Sequence, residues 1–184
     1  MVPPVQHFRL DRIPDNLLRE PLDFLFADHM RQRKMCNAID AIHMTDEKFP
    51  LPELEEPIFA YLSEDFPLHI ADEECDLFPT LRTTPDRDHD LDDLIDALMR
   101  NHAIELAMAS DVIVYLKRNL HSLDEADNVS QFPRLLFMFT DCLRRHLAIE
   151  DQMLLPLARK RLGISDLSRI GRAMAKRRNI IYPE

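Results

Sequence analysis

A chain of 184 residues suits a single domain and can bury about 70% of its extended surface without a disulfide or zinc staple. Two glycines, 46% hydrophobic residues and a surplus of Leu, Met, Ala, Asp, Glu and Arg over β-branched types favour helices and leave too few turns for a many-stranded sheet. A formal charge of -10 weighs against general attraction to nucleic acid or anionic lipid and leaves one local basic stretch, Arg159 to Arg178. No apolar run reaches the roughly eighteen residues of a membrane helix, and MVPPVQHFRLDRIP is too polar and proline-broken for a signal peptide. Cys36, Cys75 and Cys142 form no CxxC pair, which fits reduced thiols and a cytoplasmic location.

An irregular leader to residue 19 precedes a first helix over 21–44, where Leu22, Leu25, Phe26, His29, Arg33, Cys36 and Ile39 recur at helical spacing and Pro21 fills the first turn. TDEKFPLPELEEP reads as a connector. A second helix is expected over 57–82, with a kink or short break at Pro67 just before His69. Thr84 is a candidate cap before Pro85, opening a third helix over 86–121 that carries Leu91, Leu94, Ile95, Leu98, His102, Leu106, Ala109, Ile113 and Leu116. After SLDEADNVSQFP, a fourth helix over 132–161 carries Leu135, Phe139, Cys142, His146, Ile149 and Met153 and stops near Gly163. A fifth, over 166–178, is too short to cross a bundle and reads as peripheral. Four amphipathic segments with modest connections predict an all-α, antiparallel up-down-up-down four-helix bundle with a short C-terminal extra helix, the whole of 1–184 being one domain.

The functional signal is an internal echo. Residues 69–79 read HIADEECDLFP and residues 146–156 read HLAIEDQMLLP, sharing His first, Ala third, Glu fifth, an acid sixth, Leu ninth and Pro eleventh. Positions four apart project from one helix face, so His69 and Glu73 form one nitrogen and oxygen donor pair and His146 and Glu150 another. If the two helices face each other, a carboxylate from each can bridge two cations, whose mutual repulsion requires such anionic oxygens. His29 and His102 lie midway along the apolar stripes of the other two helices. Four histidines and two glutamates, with no thiolate, favour iron or manganese, with zinc as a substitute in preparations.

Other residues divide between bland and functional roles. Glu74 and Asp151, the acids that follow, fit either outer partners of the imidazoles or solvated surface. Pro79 and Pro156 are expected to shape helix ends or shared kinks near the site. His7, His43, His89 and His121 read as surface residues, and Cys142 as small buried packing or cavity lining. Met99, Phe137, Met138 and Phe139 read as core. The Glu-x-x-His spacing of ferritin-like centres is absent, because no Glu stands three residues before His69, His102 or His146.

The isolated His29, H69xxxE73 followed by Leu77, Phe78 and Pro79, His102, and H146xxxE150 together resemble the hemerythrin-like, or HHE cation-binding, family over about 18–160, leaving 161–184 as a basic extension. The resemblance implies a four-helix bundle with a carboxylate-bridged non-haem di-iron centre, two irons per chain, held by His29, His69, Glu73, His102, His146 and Glu150. It also implies a small diatomic or redox ligand: oxygen, nitric oxide or peroxide. One departure stands out. The oxygen carriers place two histidines four apart on the third helix, whereas His102 is flanked at that spacing by Leu98 and Leu106, leaving an open position or a replacement such as Glu105. Sensing or redox chemistry on nitric oxide or peroxide therefore stands beside oxygen binding. The competing account is a metal-free helical interaction module docking through the basic tail.

Overall fold

In the computed structural model, which describes residues 8–43, 52–85, 88–121 and 132–183, the described residues form four long helical rods and one short helix. The first rod is α1 (Pro21–His43), opened by Pro21 where no backbone N–H partner is needed. The second, over 52–82, comprises α2 (Pro52–Ala60), α3 (Phe66–Asp72) and α4 (Phe78–Arg82), joined without interruption by π-helical turns at Tyr61–Asp65 and Glu73–Leu77. The third is α5 (His89–His121). The fourth, over 132–161, comprises α6 (Phe132–Ile149), a π-turn at Glu150–Leu154 and α7 (Leu155–Arg161). The short helix is α8 (Ile164–Arg177), and the leader contains a 3-10 turn, Asp15–Arg19, where irregular chain was expected.

The π-turns share one cause. In each, the first carbonyl accepts the N–H five residues on: Tyr61 from Phe66, Glu73 from Phe78 and Glu150 from Leu155. Each is followed two residues after its end by a proline: Pro67, Pro79 and Pro156. Proline lacks an N–H and its ring crowds the carbonyl four residues back, so a widened turn carries the helix past it. Pro67 therefore produces no break, and the rod runs continuously through His69.

Two boundaries differ from expectation. The second rod begins at Pro52 rather than Pro57, since Pro52 suits a first turn and the PELEEP stretch coils with it. The cap of α5 is Asp88, whose Oδ1 accepts the Leu91 N–H at 2.9 Å; Thr84 instead donates back to the Leu81 carbonyl at 2.8 Å. Residues 86 and 87 lie outside the described residues.

The rods alternate in direction. One core cluster joins Met35, Cys36 and Ile39 of α1 to Leu54 and Tyr61 of the second rod, Val112 and Leu116 of α5, and Leu136 and Phe139 of α6. The other joins Leu22 and Leu25, Leu77 and Leu81, Leu91 and Leu98, and Leu154 and Leu155, at the opposite ends of the same rods. Between the clusters every rod carries its histidine. Of the residues read as core, Phe139 is fully buried, whereas Phe137, Met138 and Met99 are exposed, because Leu136, Phe139 and Leu143 already fill the inward face of α6 and Leu98 that of α5.

The short helix is not peripheral. Ile170, Met174 and Ala175 of α8 are buried in the second cluster, and Arg177 and Arg178 converge on the fully buried Asp72, with Arg178 Nη2 2.5 Å from its Oδ2. Gly171 lets α8 approach the leader so closely that a Cβ there would stand 2.1 Å from the Leu18 carbonyl oxygen. That obstacle is backbone and cannot rotate aside. Gly171→Ala is expected to lower stability by about 1–3 kcal/mol, the usual cost of overpacking, despite alanine's better helix propensity; denaturant unfolding checks this.

Candidate metal centre

The layer between the core clusters brings all six residues singled out in the sequence together, each essentially without solvent exposure. They form two overlapping groups: His29, His69, Glu73 and Glu150, and Glu73, His102, His146 and Glu150, the donor atoms of each lying within 4.8 Å of one another. Glu73 and Glu150 belong to both. The imidazoles turn Nε2 inward: His29 lies 3.3 Å from Glu150 Oε2, His69 3.6 Å and His102 3.2 Å from Glu73 Oε2, and His146 2.9 Å from Glu150 Oε1. These approaches lack hydrogen-bond alignment. His29 Nε2, His69 Nε2 and all four carboxylate oxygens of Glu73 and Glu150 are buried without a hydrogen-bond partner.

On the opposite ring edge each imidazole meets a further carboxylate. His29 Nδ1–H donates to Asp151 Oδ1 at 2.6 Å and His102 Nδ1–H to Glu74 Oε1 at 2.9 Å. His69 Nδ1 lies 3.4 Å from Asp28 Oδ2, and His146 Nδ1 lies 3.6 Å from Glu105 Oε1. Asp151 and Glu74 thereby fix the orientation of their rings and raise donor basicity, whereas His69 Nδ1 and His146 Nδ1 lie near a carboxylate without a hydrogen bond. The alternatives left open for Glu74 and Asp151 thus resolve to imidazole partners, and Glu105 sits behind His146 rather than inside the layer. Asp28 escaped sequence reading; its signal was an acid inside the apolar start of α1, directly before His29. Tyr61 donates to Asp28 Oδ2 at 2.8 Å and Arg31 to its Oδ1 at 2.7 Å, while Arg33 binds Asp151.

The remaining candidates lie elsewhere. His89 is exposed at the start of α5, His7 lies outside the described residues, and the side chains of His43 and His121 do too. Cys142 is only half-buried and its Sγ lies 3.9 Å from Glu105 Oε1, so it borders the site rather than filling core. Phe78 stacks parallel to His102 with ring centroids 5.8 Å apart and walls that side with carbon.

Electrostatics mark the layer as short of positive charge. Burial pulls the imidazoles of His29 and His102 down, but the carboxylates around them outweigh it and raise them to about 10 and about 11; His146 is raised for the same reason. Burial pushes Glu73 up, and His69, His102 and His29 reverse this to hold it well below the carboxylate range. Burial and the Glu73 charge push Glu150 up, and His146 and His102 still bring it below that range. Glu105 goes the other way, to about 7, through burial. Protons on imidazoles fill the role that cations fill more effectively. Four inward nitrogens with two shared, unbonded carboxylates fit a pair of divalent cations and fit no neutral ligand that would leave the carboxylates charged.

A helical bundle with two His/Glu groups positioned for a carboxylate-bridged binuclear metal site defines the class. The chain matches the Hemerythrin HHE cation binding domain over residues 20–158 and belongs to that family. No curated protein matches it. Among the described residues, no helix is long and apolar enough to cross a membrane.

The metal-free protein should carry an inverted pH dependence. Imidazoles raised from 6.5 to about 10 or 11 stabilise the fold below 6.5 and lose that contribution as pH climbs toward the folded values. Glu105, raised from 4.5 to about 7, costs stability as it is forced to ionise over that interval, in the same direction. Thermal unfolding of chelator-treated protein is expected to show Tm falling from about pH 5 to pH 9. A Tm that is flat or rising over this range contradicts the assignment.

Proposed function

We propose that this chain is a non-haem di-iron protein of hemerythrin type that binds or senses a small diatomic or redox ligand: oxygen, nitric oxide or peroxide. The observation that carries the reading is that Glu73 and Glu150 belong to both donor groups and leave four buried oxygens unbonded. In this account His29 and His69 would hold one iron and His102 and His146 the other, with Glu73 and Glu150 available to both. Iron bound there supplies reversible electron transfer and a coordination position for a small uncharged molecule.

The chain's own residues set the conditions for that chemistry. Asp151 and Glu74 lock His29 and His102 in the tautomer that presents Nε2 inward. Phe78 and the core clusters above and below the layer exclude water and charged solutes. Glu105 holds or releases a proton beside His146. With Leu98 buried and Leu106 turned partly to solvent, α5 offers one imidazole to the layer, which favours sensing or redox chemistry over reversible oxygen carriage.

Part of the basic tail that a metal-free docking account would use is already paired within the chain. Arg177 and Arg178 of the basic tail are engaged with Asp72, Arg161 with Asp88, and Arg159 with Asp23.

Elemental analysis of untagged protein purified anaerobically should find about two irons per chain, with an oxygen-dependent near-ultraviolet charge-transfer band. Glu73→Ala and Glu150→Ala should each reduce iron to one per chain or less, because each removes a donor from both positions. Folded protein that stays free of iron after anaerobic loading would sink the proposal.

A further inference from the structure

The two halves of the site are related by an internal pseudo-twofold that pairs α1 with α5 and the second rod with the fourth. Under it His29 matches His102, His69 matches His146, Glu73 matches Glu150 and Glu74 matches Asp151. The carboxylates behind the imidazoles match in distance as well. Asp151 and Glu74 bond their histidines at 2.6 and 2.9 Å, while Asp28 and Glu105 stand 3.4 and 3.6 Å from theirs.

The arginines break this match. Arg33, four residues after His29, binds Asp151 and also reaches the Leu147 carbonyl. Arg31, two residues after His29, binds Asp28 at 2.7 Å and Asp65 at 2.6 Å. The equivalent positions on α5, two and four residues after His102, are Ile104 and Leu106, 50% and 38% exposed. Among the described residues, no arginine or lysine bonds Glu74 or Glu105.

We propose that the two metal positions are inequivalent, and that the one held by His102 and His146 takes up a divalent cation before the one held by His29 and His69. This rests on the di-metal reading above. A carboxylate on Nδ1–H passes negative charge to the imidazole and makes Nε2 a stronger donor. An arginine on the same carboxylate draws that charge away and sets a fixed cation against the incoming one. Both carboxylates at the first position carry an arginine and neither at the second does. Arg33 also holds Asp151 rigid, which helps the first position by preorganisation. That advantage is small, because Glu74 already bonds His102 at 2.9 Å without a clamp. The charge difference between the two bonded carboxylates, Asp151 paired with Arg33 and Glu74 paired with no arginine or lysine among the described residues, decides the order.

The test is an anaerobic cobalt(II) titration of the metal-free chain, followed by calorimetry and cobalt absorption. Two phases separated by at least tenfold in affinity are expected. Glu74→Gln, at a partly exposed side chain, should weaken the tighter phase by about 10- to 100-fold and leave the weaker one in place. Leu106→Arg, on a partly exposed face, should bring an arginine to Glu74 and draw the two phases together, whereas Arg33→Leu should tighten the weaker phase. Thermal unfolding of each metal-free variant separates a binding effect from misfolding. A single phase of two equal sites, or Glu74→Gln acting on the weaker phase, would overturn the inequivalence. A folded chain that binds no cobalt at all would overturn the di-metal reading beneath it.

Discussion

Glu73 and Glu150 share one fully buried layer with four imidazoles, and the rest of the bundle follows from the need to balance their charge. Two like unit charges about 4 Å apart repel by about 4 kcal/mol at an effective dielectric near 20, before either carboxylate's lost hydration is counted. In the metal-free chain the balance comes from protonated imidazoles, which is why His29 and His102 are lifted to about 10 and about 11 against the pull of burial. A pair of cations would replace those protons with charge that the carboxylates can bind directly. The apolar clusters above and below hold the layer in place and also deny it water, so the stability of the fold and the demand for metal are linked.

The rods deliver these side chains through one repeated backbone device. Glu73 and Glu150 each begin a π-turn, and a proline stands two residues past the end of each of those turns. The wider turn lets two successive acids serve two rings: Glu73 faces the layer while Glu74 reaches His102, and Glu150 faces the layer while Asp151 reaches His29. A regular α-helix would separate neighbouring side chains by about 100° with no such latitude. The third π-turn, before Pro67, carries Tyr61, which bonds Asp28, a carboxylate 3.4 Å from His69 Nδ1.

Much of this was legible in the chain. Helical periodicity located the four rods and, within their apolar stripes, His29 and His102, while the H-x-x-x-E echo singled out the other four inward residues, because both are local patterns with a fixed geometric meaning. The partners behind the imidazoles were less accessible. Glu74 and Asp151 could be named but not decided, since surface acids follow glutamates as readily as buried ones do. Asp28, Arg31, Arg33 and Tyr61 depend on which rods become neighbours, a property of the fold that no short window contains. The prolines misled in one respect: of the kink or short break expected at Pro67, no break occurs, because the chain absorbs the proline by changing the helix type. The short last helix misled in another, because its role depends on Gly171 permitting contact with Leu18 and on Asp72 receiving two arginines.

Anomalous diffraction at the iron edge from crystals of the iron-loaded protein tests the central claim most directly. The account predicts two peaks in the buried layer, roughly 3.5–4 Å apart, as in other two-metal sites, each within bonding distance of both Glu73 and Glu150, with His29 and His69 on one and His102 and His146 on the other. A single peak, or iron bound elsewhere with Glu73 and Glu150 left unligated, would contradict it.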